Sequence, residues 1–280
     1  MIVTADDFGR DISVNEAIER AHCDGILSTA SLMVGAPAAA DAVARAGRHA
    51  DLHVGLHLVL IDGDPVLPPE ELGSLVRCDG RFDDNPLRSG LRFFFRPEAR
   101  RLLAAEIRAQ FEAFRATGLA LDHVNAHKHM HLHPTVARLV IEIGADYGMH
   151  AVRLPAEPKK TLRRAFPGER LSSTLPAVAV AVAVAALRRR LRRSGLAFNE
   201  QVFGIAWSGA MTEERILELL PHLPDGVSEI YSHPAIEADA AIPGYRPVAE
   251  LHALVSPRVR RRIDELGISL VTYADIARAS

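Results

Sequence analysis

Short apolar runs rich in β-branched residues alternate along this chain with longer stretches in which apolar positions recur every three or four residues. The runs are Ile2–Asp6, Ala30–Val34, Val54–Leu58, Leu121–Ala126, Ala151–Leu154, Val202–Trp207, Glu229–Ser232 and Ser269–Tyr273, and each reads as a strand. Helical signals lie between them. Ser13-Val-Asn-Glu16 has the form of a capping box, and Gly25 suits the end of that helix. Ala36–His49 and Arg100–Thr117 are helical in period, and Pro134 suits the first turn of a helix reaching Tyr147. Glu213 and Glu214 favour the start of a helix running to about Leu220, and Val248–Leu266 forms the next. Strand and helix alternating in this way predict an α/β fold with a parallel sheet, most simply a closed (β/α) barrel. An open doubly wound sheet is the alternative. Residues 61–97 and 156–199 interrupt the pattern, and neither has enough patterned apolar sequence for a core of its own. The whole chain, 1–280, is therefore expected to be one domain with two insertions.

Composition adds little to this except by exclusion. Of the 280 residues 48% are apolar and 24% charged, and the net charge of −2 gives no field that would draw nucleic acid. Cys23 and Cys78 lack metal-type spacing and read as reduced structural thiols of a cytoplasmic protein. Asp6 and Asp7 exclude a signal-peptide core at the N-terminus. The apolar run 175–187 is shorter than the roughly 20 residues that span a bilayer. It leads into Arg188-Arg-Arg-Leu-Arg-Arg193, so 175–193 reads either as a peripheral contact with the inner face of a membrane or as a buried helix with a solvated basic end.

Five histidines fall at positions 123, 127, 129, 131 and 133. Imidazole is the commonest neutral metal ligand. From 127 to 133 the histidines recur at every second residue, so an extended backbone would point all four the same way. They follow the fourth strand. Asp6 and Asp7 end the first, His57 the third, Arg153 the fifth, Trp207 and Ser208 the sixth, and His233 the seventh. In a barrel the carboxyl ends of the strands carry the active site. Adjacent carboxylates in a cleft call for a cation, which one would bind while the other stays free as a base. One Asp with two His is a ligand set for a divalent ion that activates water, with Zn²⁺ preferred for nitrogen donors and Mg²⁺ or Mn²⁺ compatible with the carboxylate.

Thr4-Ala-Asp-Asp-Phe-Gly9, Val54-Gly-Leu-His-Leu58, His127-Lys-His-Met-His131 with Pro134, and Ser232-His-Pro234 resemble the YdjC/ChbG carbohydrate deacetylases, in order along nearly the whole chain. Ala151–Glu157 and Phe203–Thr212 resemble the hopanoid-biosynthesis-associated branch of that group. The resemblance implies a distorted barrel of the deacetylase type and one divalent metal. It implies Asp7, His57 and His127 as ligands, Asp6 as catalytic base and His233 as general acid. His131 is the alternative third ligand. Arg153, Trp207, His129 and His131 are candidate substrate contacts, with Arg153 alternatively fixing Asp6. The implied substrate is an N-acetylglucosaminyl hopanoid lipid. One departure stands out: Asn125-Ala-His127 replaces the family's common Asp-Ser-His, so a carboxylate that would orient a histidine is expected to be missing. Two rivals remain, a metal phosphoesterase on a barrel and a non-catalytic glycolipid-binding protein with a structural metal.

Overall fold

The computed structural model describes residues 1–169, 177–238 and 244–279. Six parallel strands form one curled sheet: β1 (Ile2–Phe8), β2 (Thr29–Leu32), β3 (His53–Leu58), β4 (Leu121–Ala126), β5 (Gln201–Phe203) and β6 (Ser228–Ser232), in the order β4-β3-β2-β1-β6-β5. The helices wrapping it are α1 (Ile12–Cys23), α2 (Ala39–Ala46), α3 (Pro69–Leu72), α4 (Pro86–Phe95), α5 (Pro97–Ala116), α6 (Pro134–Gly144), α7 (Lys159–Ala165), α8 (Ala177–Arg193), α9 (Glu213–Leu219), α10 (Pro247–Leu254), α11 (Pro257–Glu265) and α12 (Tyr273–Ala279). The expected distorted barrel is what the chain forms.

Residues 151–154 stand between the two edge strands without becoming a regular strand. Arg153 donates its amide to Val124 O (3.0 Å), Val152 donates to Ala197 O (3.0 Å), and Val202 donates to Ala156 O (3.1 Å). The expected sixth strand stops at Phe203. The Glu157 carboxylate accepts the next three amides, Gly204, Ile205 and Ala206, at 3.0, 2.9 and 2.9 Å, and so withdraws them from the ladder. The expected eighth strand at Ser269–Tyr273 is absent. Both edges of β1 are already taken by β2 and β6, so the segment meets the residue before β1, the Val271 amide donating to Met1 O at 2.9 Å, while Val271 O accepts from Ser28 Oγ at 3.1 Å. Thr272 then leads into α12, its amide donating to Asp275 Oδ2 at 2.9 Å.

Several helix limits also move. α1 starts at Ile12 because Asp11, not Ser13, accepts the capping amide, from Val14 at 2.8 Å. Ser13 Oγ instead accepts the Glu237 amide. The stretch 248–266 is two helices, broken where Pro257 cannot continue α10 and Ser256 caps α11. The insertions hold α3 and α4 in 61–97, and α7 and α8 in 156–199. Leu187 and Leu191 of α8 are buried, while Val178 and Val182 are exposed; residues 175 and 176 of the apolar run lie outside the described residues. Among the described residues no helix is long and apolar enough to cross a membrane. Cys23 and Cys78 are free thiols, as expected, though both are exposed.

The strands divide their residues by period two. Val3, Ala5, Leu32, Val54, Leu56, Leu58, Val124 and Ile230 belong to the main apolar cluster, which also takes in buried faces of the helices. The alternate positions face one another inside the barrel: Thr4 bonds Thr29 and Glu229, and Ser31 bonds His123 and Asn125. At the amino-terminal end a small separate cluster of Ile2, Ala151, Ala197 and Tyr273 closes the interior. Gly55 has no Cβ because the His123 ring occupies that space; an added Cβ would lie 2.5 Å from it.

Ser256 takes the amides of Arg258 and Val259 and donates to Glu213 Oε1, so it joins α11 to α9. Ser256→Ala should cost about 1–2 kcal/mol, the range for losing an N-cap. Urea unfolding followed by circular dichroism checks this, and an unchanged midpoint would show the cap to be redundant.

Candidate metal centre and active site

β1 ends in a bulge. Its register with β2 shifts between Ala5 and Phe8, and Asp7 takes a left-handed φ of 64°. The side chains of adjacent residues, which a regular strand would send to opposite faces, are thereby brought to one cavity, and Asp6 and Asp7 both line it. The cavity is about 420 Å³ and is also lined by Arg10, Ser13, His233 and Tyr245. A non-glycine residue held at positive φ is a strained backbone of the kind that clusters at functional sites.

Asp7, His57 and His127 converge at its edge, Asp7 alone of the three lining the cavity: one ligand atom from each lies within 4.8 Å of the others. His57 Nε2 is 3.4 Å and His127 Nδ1 3.5 Å from Asp7 Oδ1. Asp7 Oδ1 and His57 Nε2 are buried and have no hydrogen-bond partner. A buried lone pair left without a donor is costly unless something else fills the role. The oxygen and nitrogen donors, their spacing and their orphaned lone pairs fit a divalent cation.

Asn125 does the orienting for which a carboxylate was expected. Its Oδ1 accepts from His57 Nδ1 at 2.6 Å, which leaves Nε2 unprotonated and aimed at Asp7. Its amide nitrogen donates to Asp6 Oδ1 at 3.1 Å and to Ser31 Oγ at 2.9 Å. Ser31 in turn bonds His123 Nε2 at 3.0 Å, and His123 Nδ1 bonds Asp122 Oδ2 at 2.9 Å. Because Asp122 only accepts, every proton in this chain has one consistent place. A carboxylate at 125 could not donate to Asp6; an amide serves both neighbours.

Arg153 has no solvent exposure. Its guanidinium donates to Asp6 at 2.5 and 3.0 Å, and to Glu229 through Nε at 3.0–3.1 Å and Nη2 at 2.8 Å. Four of its five N–H groups are engaged in this way and none of the side chain reaches solvent, so of its two expected roles it fills the one on Asp6. Burial works to raise the Asp6 pKa, yet Arg153, with His57 and His233, holds the carboxyl well below the usual carboxylate range. For Asp7 burial is likewise outweighed, here by His127, His233 and His57, and its pKa is lowered. Burial lowers the His57 pKa, partly offset by Asp6 and Asp7, which favours the neutral ligand form.

The histidine run does not present one face. Residues 127–132 form a tight 3-10 turn in which Lys128 and His129 adopt left-handed φ of 50° and 55°. Only His127 reaches the cluster. His129 Nε2 lies 3.2 Å from the Tyr231 hydroxyl, and His131 Nε2 donates to Arg153 O at 3.0 Å. Burial, then the nearby Arg153 charge, pushes the His131 pKa down to about 3. His133 packs edge-on against Phe93 and Phe94. His129 and His131 thus brace the wall behind the cavity and do not line it, and His131 is not among the converging ligands. Trp207 is also displaced. It is buried against Phe166, with Arg215 over its ring at 5.2 Å, and borders a different recess with Ser208 and Arg246, so no open face is left for a sugar.

His233 faces Asp6 and Asp7 across the cavity. Its amide donates to Glu250 Oε2 at 2.6 Å, and Glu250 Oε1 takes the Met211 amide. Its ring lies 5.5 Å from Tyr231 and 5.4 Å from Tyr245, with Nδ1 unpartnered. Glu229, Glu250 and Tyr245 were not picked out in the sequence. Glu229 carried a usable signal, a charged residue inside the short strand Ser-Glu-Ile-Tyr-Ser. Glu250 and Tyr245 carried none, since each sits in an ordinary polar context.

The profile of the YdjC-like protein family matches residues 1–265. The chain belongs to this family. Among curated relatives of this YdjC-like chain, a carbohydrate deacetylase of Geobacillus stearothermophilus is 31% identical over 279 residues, covering 98% of this chain and 96% of the relative. One from Brevibacillus brevis is 29% identical over 283 residues, covering 99% of both chains. A crystal structure from Enterococcus faecalis, described as a candidate cellobiose-phosphate cleavage protein, superposes with a TM-score of 0.73 at 22% identity, covering 98% of this chain and 97% of its own. That likeness is one of fold.

Arg153→Met removes the only cation between two buried carboxylates described at this position. Removing one partner of such a pair costs about 3–5 kcal/mol. The variant should therefore unfold at clearly lower denaturant. A normal midpoint with a raised KM would instead make Arg153 a substrate contact.

Proposed function

We propose that this protein is a metal-dependent N-deacetylase that hydrolyses the acetamide of an N-acetylated amino sugar to the free amine and acetate. One observation carries the reading: two buried, unpartnered ligand atoms, Asp7 Oδ1 and His57 Nε2, converge with His127 beside a carboxylate that Arg153 keeps charged. Asp7, His57 and His127 would hold the ion, Zn²⁺, Mg²⁺ or Mn²⁺. When bound, a divalent cation polarises the amide carbonyl and acidifies water. Asp6 accepts the water's proton on its carboxylate. Arg153 orients that carboxylate through paired hydrogen bonds and keeps it ionised, at some cost in basicity. Asn125 holds His57 in the tautomer whose Nε2 is free. His233, on the opposite wall, delivers a proton to the departing amine nitrogen. The relatives named carbohydrate deacetylases support this choice of reaction.

Both rivals fit less well. A two-metal phosphoesterase needs more converging ligands, and among the described residues the surplus histidines point elsewhere. A structural metal site would be closed by four protein ligands, whereas three converge here beside a free charged Asp6. For substrate we favour an N-acetylglucosaminyl hopanoid lipid, met by a cytoplasmic protein at the inner face of a membrane. Residues 151–157 and 203–212, which carry that finer resemblance, are tied together by the Glu157 bonds to 204–206. Exposed Val178 and Val182 on α8, followed by the arginines at 188–193, support a peripheral contact by this insertion.

Asp6→Asn should abolish acetate release yet retain metal, because an amide cannot accept the proton. Asp7→Asn should lose metal first. Metal analysis of both variants beside an acetate assay separates them, and equal metal loss would remove Asp6 from its role. His233→Ala should slow amide hydrolysis by about 10²–10⁴-fold, the scale of acid–base assistance. The loss should shrink with an activated aryl ester, whose leaving group needs no proton; the same factor on both substrates would make His233 a positioning residue.

A further inference from the structure

α4 is amphipathic the wrong way round for a surface helix. Ser89 and Phe93 face the protein and are buried. Leu87, Leu91, Phe94 and Phe95 are 69, 51, 52 and 68% exposed, and their spacing of four, three and one residues places them on one stripe. Among the described residues only three other large apolar side chains are as open to solvent, Ile12 and, on α8, Val178 and Val182. Arg88, Arg92 and Arg96 run alongside the stripe, each one residue beyond an apolar position. A groove of about 610 Å³ on this side is lined by Leu87, Leu91, Phe95 and these three arginines, with Ser74 and Asn85, and no carboxylate. Asp83 approaches two of the arginines: Arg88 pairs with it at 2.5 Å, and Arg92 Nη2 lies 3.6 Å away. Arg88 nonetheless keeps 58% of its side chain in solvent.

The place of this helix matters. It follows the carboxyl end of β3, and Phe93 and Phe94 pack on His133, the residue immediately after the histidine turn that supplies His127. α4 and α8 both pack on α6. α4 therefore lies beside the strand-end turn that carries His127.

We infer that the Leu87–Leu91–Phe94–Phe95 stripe of α4, with Arg88, Arg92 and Arg96, docks the protein on an anionic lipid bilayer surface. Aromatic and leucine side chains enter the boundary between headgroups and acyl chains, and flanking arginines meet phosphates. The charge pattern selects this occupant over a second copy of the chain, because two such grooves would offer each other arginines and no carboxylate to pair with them. Docking needs no glycolipid, so vesicles without any substrate test it apart from the deacetylase reading.

The full chain is to be sedimented with vesicles of phosphatidylcholine, with and without phosphatidylglycerol, at low and high salt. Wild type should bind the anionic vesicles at least about tenfold more tightly than the neutral ones, with the advantage shrinking as salt screens it. Leu91→Ser with Phe95→Ser should lower binding to anionic vesicles by about tenfold or more, while acetate release from a soluble N-acetylated sugar and the melting temperature stay at wild-type values. Absence of binding by wild type, or wild-type binding by the double variant, overturns the inference. So does a concentration-dependent dimer in solution that the double variant abolishes, since the stripe would then be a contact between copies.

Discussion

Everything in the interior is arranged around one buried guanidinium. Arg153 is the cation that lets Asp6 and Glu229, both buried, stay in the barrel together. Neither carboxylate would be tolerable in that medium alone. Glu229 is further satisfied by Thr4 and by the Tyr273 hydroxyl, and Tyr273 plugs the amino-terminal end. One charge balance thus joins the floor of the barrel to its reactive mouth. It also explains a polar interior in which Thr, Ser, Asn, His and Tyr stand at positions that a purely packed barrel gives to Val, Ile and Leu.

Much of this was legible before any coordinates. Period-two apolar runs located all six strands, and placing the unusual polar residues at strand ends brought Asp6, Asp7, His57, His127 and His233 to one region. That worked because strand direction is a one-dimensional property, and the end of a run can be read directly. The same reading failed where backbone conformation intervenes. The alternation of His127, His129, His131 and His133 suggested a single histidine face, but Lys128 and His129 turn through the left-handed region and each ring goes its own way. Trp207 missed the cavity for a related reason, since Glu157 takes the amides of 204–206 and ends the strand early.

Pairing of charges was the least legible part. Asn125 looked like a loss relative to a carboxylate. In place it accepts from His57 and donates to Asp6, and a carboxylate could not make the second bond. That logic depends on which side chains face each other across the barrel, a matter of register between strands far apart in the chain. The partners of Glu229 and Glu250 are hidden for the same reason: Arg153 and the amides of Met211 and His233 are 76, 39 and 17 residues away.

The seam between 151–154 and 197–203 has few ladder bonds and relies on Asn199, which accepts the Leu154 amide and donates to Leu154 O. The excursion 156–199 leaves and returns at this seam, so its two ends are neighbours in space. Closing a loop between neighbouring points costs entropy that rises only slowly with its length. The length of the stretch between its two anchors, Glu157 and Asn199, is thus nearly independent of the strand ladder, and the pairing that holds the buried charges does not have to change with it.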